Sequence, residues 1–459
     1  MNKGDILELD IFDLNNVGAG VGRAEDGRVV FVRGCVGGDR ARVEVIKINK
    51  SYAVARLVEL IKASPNRTDE SFCDAPAACG GCVYRNIKYE YELDIKRDFV
   101  KSEFVKAGMP EVEVLPTLST GRICGYRNKG QFPVKATKNG MRAGLFSAGT
   151  HTVIPFAECS IQNREFAPIA RAVCAFADEH GISAYDEQSH TGLIRHIYLR
   201  IGERMGEIML CVVINGNKLP AADELVRIIE KKFPSVKSLM LNINTERTNV
   251  VLGKKFVKLY GKDYIEDELC GLRFKISADS FYQVNRDGAE LLYSLAARLG
   301  DFKGDETLLD LYCGTGTIGL SVAHKVKSLV GVEIVEAAVK CATENAERNG
   351  IKNARFVCAD ASSKQVILEN AGGVRPDAII IDPPRKGSTK ELVECIAELG
   401  VPKVVYVSCG PDTLARDCKW FADFGYEIGA VQPVDMFPRT GHVESVVCLT
   451  RRLDVDMRR

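Results

Sequence analysis

From Asp5 to Leu60 apolar and polar positions alternate in short runs, Ile6 to Phe12, Val29 to Arg33, Ala41 to Ile48 and Ala53 to Leu60, broken by glycine turns such as Gly18-Ala19-Gly20-Val21-Gly22. A period of two marks half-buried strands, and about five of them in so short a stretch predict a small closed barrel of the oligonucleotide-binding kind. Its charges nearly cancel. A docking barrel and an RNA-binding one fit the pattern equally.

Ser64-Pro65-Asn66 reads as a linker. Tyr89 to Ala107 then changes period: Leu93, Ile95, Phe99, Val100 and Phe104 stand among dense charges, which predicts a helix able to pack on the C-terminal domain. Ile194 to Ile201 and Glu207 to Ile214 predict a β-hairpin, followed by a helix (Ala221 to Lys232) and a strand (Ser238 to Ile243), an α+β region. Further on, Leu308 to Leu311, Ser328 to Ile334, Arg355 to Ala359, Ala378 to Ile381 and Val404 to Val407 are separated by helix-length segments. Regular alternation of that kind predicts a doubly wound, mostly parallel sheet. The chain ends on Tyr426 to Asp435 and Glu444 to Thr450, joined by Met436-Phe437-Pro438-Arg439-Thr440-Gly441, an expected antiparallel hairpin on the sheet edge. The expectation is a multidomain α/β protein: a barrel at 1–62, a central α+β domain at 63–270 and a doubly wound domain at 271–459.

With 459 residues there is room for two to four cores, and 62 Lys and Arg against 61 Asp and Glu leave a net charge of +1. No global field advertises a polyanionic partner, so nucleic acid must be met by a local patch. Thr120 to Arg142 is the best one: Arg122, Arg127, Lys129, Lys135, Lys138 and Arg142 occur without an acidic residue, interleaved with Tyr126 and Phe132. Such a stretch suits phosphates and stacked bases, or a solvated hairpin. No targeting segment or membrane span is visible, and a cytoplasmic monomer without an obligate protein partner is expected.

Asp310-Leu311-Tyr312-Cys313-Gly314-Thr315-Gly316-Thr317-Ile318-Gly319 joins the first strand of the doubly wound domain to its first helix, and Glu333 ends the next strand. Glycines in that pattern with a later carboxylate suit the nucleoside of NAD or of S-adenosylmethionine. Ligands of open α/β sheets sit beyond the carboxyl ends of the strands, where Asp310, Gly314, Glu333, Asp360, Asp382 and Cys409 all fall. Asp382-Pro383-Pro384 fixes the backbone at one such end, with Arg385 following. Of the sixteen cysteines, Cys174, Cys211, Cys270, Cys341, Cys358 and Cys448 are taken as inert and buried. Cys409 differs. Before Gly410-Pro411 it stands at a helix amino terminus, where the dipole favours a thiolate and a nucleophile belongs. Addition of that sulfur to C6 of a uracil would make C5 nucleophilic, and a base, for which Glu444 is the candidate, would remove the C5 proton after methyl transfer.

Cys73-x5-Cys79-Gly80-Gly81-Cys82 has the look of a metal loop short of one ligand, with Cys159 or Cys124 as the fourth and either iron-sulfur or zinc as its occupant.

Taken together, the barrel, C-x5-C-x2-C, Tyr126-Arg127-Asn128-Lys129, Phe281-Tyr282-Gln283-Val284-Asn285, the glycine loop, Asp382-Pro383-Pro384-Arg385, Ser408-Cys409 and His442-Val443-Glu444 resemble the RNA uracil-5 methyltransferases that carry a TRAM barrel and a [4Fe-4S] cluster. The resemblance spans essentially the whole chain. It implies Cys409 as nucleophile and Glu444 as base, and puts Gln283, Tyr312, Gly314, Glu333, Asp382 and, at the adenine, Asp360 around S-adenosylmethionine and the target base. It also implies Cys73, Cys79, Cys82 and Cys159 as cluster ligands, and 23S rRNA as substrate, with tRNA the alternative. Arg127, Lys129 and Phe132 are the expected RNA contacts. The chain departs from the pattern at Gly410, where an asparagine is frequent, and at Thr317, where an amide can occur. A non-catalytic iron-sulfur RNA-binding protein is the alternative from another class.

Overall fold

The computed structural model describes residues 1–68, 73, 75–76, 78–373 and 375–452, so the last residues of the expected third domain lie outside it. Ile6–Leu14, Ala19–Arg23, Val29–Arg33, Arg40–Ile48 and Tyr52–Lys62 close into a barrel in which the fifth strand lies between the third and fourth. Alternate side chains, among them Leu9, Ile11, Val30, Val32 and Val43, fill its interior, as the period of two requires. The glycine-rich segment read as a turn is mostly strand. Ala19–Arg23 pairs with both neighbours, and a Cβ on Gly20 would come within 2.8 Å of Ile11 and Cys35.

A seven-stranded sheet forms the middle of the molecule, in the order Lys255–Gly261, Val236–Ile243, Glu207–Ile214, Ile194–Gly202, Lys129–Thr137, Gly140–Phe146 and Val153–Pro155. Helices Phe166–Glu179 and Ala222–Lys232 cover one face and bury its apolar side chains with their own. The half of the basic stretch from Lys129 onward therefore belongs to this sheet. Phe132 points inward there, and Tyr126 before the sheet is buried too, which the charge pattern alone did not reveal.

In the C-terminal domain the strand order is Ala354–Cys358, Ser328–Glu333, Thr307–Leu311, Ala378–Ile381, Lys403–Ser408, Glu444–Arg451 and Tyr426–Ile428, the first five parallel. The expected edge hairpin is corrected in its detail. Glu444–Arg451 enters next to Lys403–Ser408, and the run Tyr426 to Asp435 breaks into Tyr426–Ile428 and Gln432–Val434, which both pair with it. At the break the Gly429 N–H donates to the Cys448 carbonyl at 3.0 Å, so close that a Cβ there would lie 2.8 Å from that oxygen.

Helix Tyr89–Lys106 packs on the C-terminal domain, and its Val100 and Phe104 share a core with strand residues Leu309, Ile379 and Val404. Its polar side is anchored too: the Lys96 ammonium, 1 % exposed, donates to Glu92 and, at 2.7 Å, to Asp435 of the C-terminal domain. Breaking one partner of such a buried set costs about 3–5 kcal/mol. The two regions are therefore joined by an apolar core and by a charge set that tolerates no missing member. No helix among the described residues is long and apolar enough to cross a membrane.

Candidate active site

Parallel strands with β-branched, doubly buried residues end together, and their next residues line one cleft. Cys409 follows Lys403–Ser408, and Ser408 pairs with Ser445 on the antiparallel neighbour. The next position in that register sets Cys409 opposite Glu444. Asp382 follows Ala378–Ile381, the parallel neighbour on the other side. The charges of Glu444 and Asp382 both act on the Cys409 sulfur, and Arg385 opposes them.

Burial is the largest influence on each group. It raises Glu444, 4 % exposed, to about 8, with Asp382 adding to the rise and Arg385 opposing it. Asp382 keeps part of its surface open to the cleft, but burial lifts its carboxyl to about 7. The resting thiolate expected from the helix dipole is corrected: burial and the two carboxylates push the Cys409 thiol up to about 11. Helix Pro411–Asp423 does begin directly after it, yet desolvation outweighs the dipole. Gly410 has a local reason. Its N–H donates to Ser408 Oγ, and a Cβ would lie 2.8 Å from Thr413 Oγ1 and 3.4 Å from the Arg385 carbonyl.

The glycine loop is held from below. Asp310, 1 % exposed, accepts from the Gly319 N–H at 3.0 Å, and burial raises it to about 8, so it organises the loop and is not open to a ligand. Tyr312 holds a left-handed backbone at φ 64°, a strain tolerated where surroundings over-determine it. Glu333 accepts from Gly314 N–H at 3.1 Å and from Val335 N–H at 2.9 Å, which aims its carboxylate across the loop mouth. Asp360 is exposed and tied by Oδ1 to the backbone and hydroxyl of Ser362, which lowers its pKa. The Thr317 hydroxyl meets Tyr293 at 3.0 Å in the interior, so this departure supports packing. The Gln283 carbonyl accepts from Asn128 Nδ2 at 2.8 Å and the Val284 carbonyl accepts from Asn128 N–H, which ties this stretch to the central domain, while the Gln283 side chain hydrogen-bonds Tyr293. Exposed Phe281 and Ile334 border the same region, two apolar side chains left open beside the glycine loop.

Of the expected RNA contacts, Phe132 is corrected. It is fully buried against Phe156 and Phe166 and has no face for a base. Tyr126 is also buried, its hydroxyl donating to the Pro438 carbonyl. Lys129 is partly buried near Arg200 and Arg127, which lowers it to about 8.

Cys73, Cys79, Cys82 and Cys159 line one cavity with Leu145, Ile154 and Phe156 as apolar walls. Cys124 lines a neighbouring groove instead. Burial, and then the other three sulfurs, raise Cys82 to about 12. Among the described residues no group of three or more His, Cys, Asp or Glu side chains converges to hold a single metal ion. Gly80 N–H donates to the Phe146 carbonyl and Gly80 packs on Ala148, while Gly81 lies near the Cys79 sulfur. Of the six cysteines taken as inert and buried, Cys174 and Cys211 are buried, Cys270, Cys341 and Cys448 are half-buried, and Cys358 is exposed, at the end of an edge strand.

Residues 230–452 match the family described as tRNA (Uracil-5-)-methyltransferase, and residues 2–58 match the TRAM domain. An RNA methyltransferase of Halalkalibacterium halodurans is 41 % identical over 450 residues, covering 98 % of both chains. Another from Clostridium tetani is 38 % identical, covering 98 % of this chain and 97 % of its own. The crystal structure of Pyrococcus abyssi tRNA (uracil-54, C5)-methyltransferase with S-adenosyl-L-homocysteine superposes with TM-score 0.79 at 28 % identity, covering 97 % of this chain and all of that one.

Proposed function

This chain belongs to the RNA uracil-5 methyltransferase family with an N-terminal TRAM domain, and from that premise we propose that Cys409 and Glu444 carry out the reaction on a uridine of 23S rRNA. The observation that carries the reading is their facing register at the carboxyl end of the sheet, with Asp382 beside them. The target base leaves its stack to reach the cleft, because a stacked ring hides the face that sulfur must attack.

As Cys409 Sγ bonds to C6, the thiol proton passes to Asp382 and the C5–C6 π electrons move onto C5 and O4. S-adenosylmethionine supplies the methyl group that C5 takes up. Glu444 then removes the C5 proton, the C5–C6 double bond reforms, and the C6–S electron pair returns to sulfur. Glu333 and Gly314 are suited to the donor's ribose, Gln283 and Tyr312 to the donor and the base, and Asp360 to the adenine. Arg127 and Lys129 are suited to RNA phosphates. Cys73, Cys79, Cys82 and Cys159 would hold an iron-sulfur cluster, which would tie the cysteine loop to the central domain.

Transfer RNA is the second reading, favoured by the whole-chain likeness to a tRNA methyltransferase. Incubation of the protein with labelled donor and with each RNA, followed by digestion and mapping of 5-methyluridine, separates the two. Label in 23S rRNA alone supports the proposal; label confined to tRNA replaces it; no label in either RNA rejects both.

A further inference from the structure

In the segment leading into Glu444, Arg439 is held through both its backbone and its side chain. The Arg439 carbonyl accepts from Val83 N–H at 2.9 Å and Tyr84 N–H at 3.2 Å, and its own N–H donates to Glu92 Oε1 at 2.7 Å. Its guanidinium donates to the Ile87 carbonyl at 2.9 Å and the Tyr84 carbonyl at 3.4 Å, and pairs with Glu92. All these partners lie within residues 83–92, immediately after Cys82 of the cysteine-lined cavity. Arg439 is 6 % exposed and holds a left-handed backbone at φ 70°. A side chain in that conformation costs about 1–2 kcal/mol relative to ordinary backbone, so the contacts hold the residue there against its own preference.

The grip is passed on by a tight turn. Phe437 O accepts from both Thr440 N–H and Thr440 Oγ1, and Thr440 Oγ1 in turn accepts from His442 N–H. Lys96 fastens the other end of the turn through Asp435 and the Phe437 carbonyl. Only Val443 then separates His442 from Glu444.

We propose that Arg439 is a positioning residue for Glu444: through it the segment following Cys82 sets the orientation of the base, and hence the rate of proton removal and release of sulfur. This rests on the reaction proposed above. Sulfur addition and methyl transfer do not use Glu444, so a loosened Arg439 slows only the later steps, loss of the C5 proton and elimination of the cysteine.

Arg439→Gly keeps the left-handed backbone and its bonds without strain and removes the guanidinium; Arg439→Lys keeps the charge without the fork. For each, single-turnover methyl transfer, multiple-turnover rate and the fraction of protein in a denaturation-resistant RNA adduct are measured beside Glu444→Gln. The expected result for Arg439→Gly is methyl transfer within about twofold of native, turnover slowed roughly tenfold or more, and adduct accumulating. That loss is a part of the ~10²–10⁴-fold a placed base contributes. Arg439→Lys should fall between native and glycine, and it decides the matter if the glycine variant does not fold. Native turnover without adduct, or equal slowing of all steps without adduct, overturns the inference while Glu444→Gln still accumulates adduct. Absence of adduct in Glu444→Gln as well overturns the underlying reaction instead.

Discussion

Cys409 and Glu444 extend the antiparallel register of Ser408 and Ser445 by one position, so that a thiol and a carboxylate from two adjacent strands face each other at the carboxyl end of the sheet. That placement puts the Cys409 thiol in the field of a buried carboxylate, and burial is the largest cause of the raised pKa of each.

Removal of the sulfur should end the reaction. Cys409→Ala is expected to show no 5-methyluridine above background while binding RNA normally, because the addition that activates C5 has no substitute. Mapping of the product nucleoside beside an RNA-binding titration checks it, and turnover near the native rate would contradict the covalent route.

The pH profile has a definite sign. Asp382 must be ionised to receive the thiol proton, and Glu444 must lose a proton before elimination, so kcat should climb as pH rises through about 7 to 8 and level off above. A carboxyl raised on folding stabilises the protein below its unfolded value and loses that contribution as pH rises through the folded one. Glu444→Gln, neutral throughout, should therefore melt above the native protein at pH values beyond about 8, with the gap closing in acid. Thermal melts across that window test it; a Glu444→Gln protein that melts lower at high pH would show that the carboxylate is stabilised.

Gly441 joins the barrel to the catalytic edge. A Cβ there would lie 1.6 Å from the Asn16 carbonyl in the turn between the first two barrel strands. Gly441→Ala is expected to displace the barrel and to lower methyl transfer several-fold, with faster protease cleavage between the barrel and the helix Tyr89–Lys106. Native resistance to cleavage would mean that the barrel does not depend on this contact.

Much of this was legible in the sequence. The parallel strands announced themselves as apolar runs, and their ends located Asp382 and Cys409 without coordinates, because the backbone of an open sheet delivers those positions to one edge. Three things were not legible. Phe132 sits among basic residues, yet the period of two turns it inward, and charge in a window says nothing of which face a residue takes. Cys409 reads as a thiolate from its helix, but burial is a tertiary property and dominates. Arg439 could not be found at all, since its partners in residues 83–92 are over three hundred residues away.

The cysteine cavity distinguishes two candidates for the fourth ligand. Cys159→Ser should lower bound iron and acid-labile sulfide in protein purified without oxygen, whereas Cys124→Ser should leave both near native, because only Cys159 lines the cavity with the other three sulfurs. Equal loss in both variants would place Cys124 in the set.

The most direct test of the covalent route uses Glu444→Gln with donor and substrate RNA, nuclease digestion of the products, and mass spectrometry of the peptide containing Cys409. A covalent intermediate predicts a peptide bearing a methylated uridine nucleotide on that cysteine, absent when Cys409→Ala is added to Glu444→Gln. An unmodified Cys409 in a protein that still forms 5-methyluridine would contradict it.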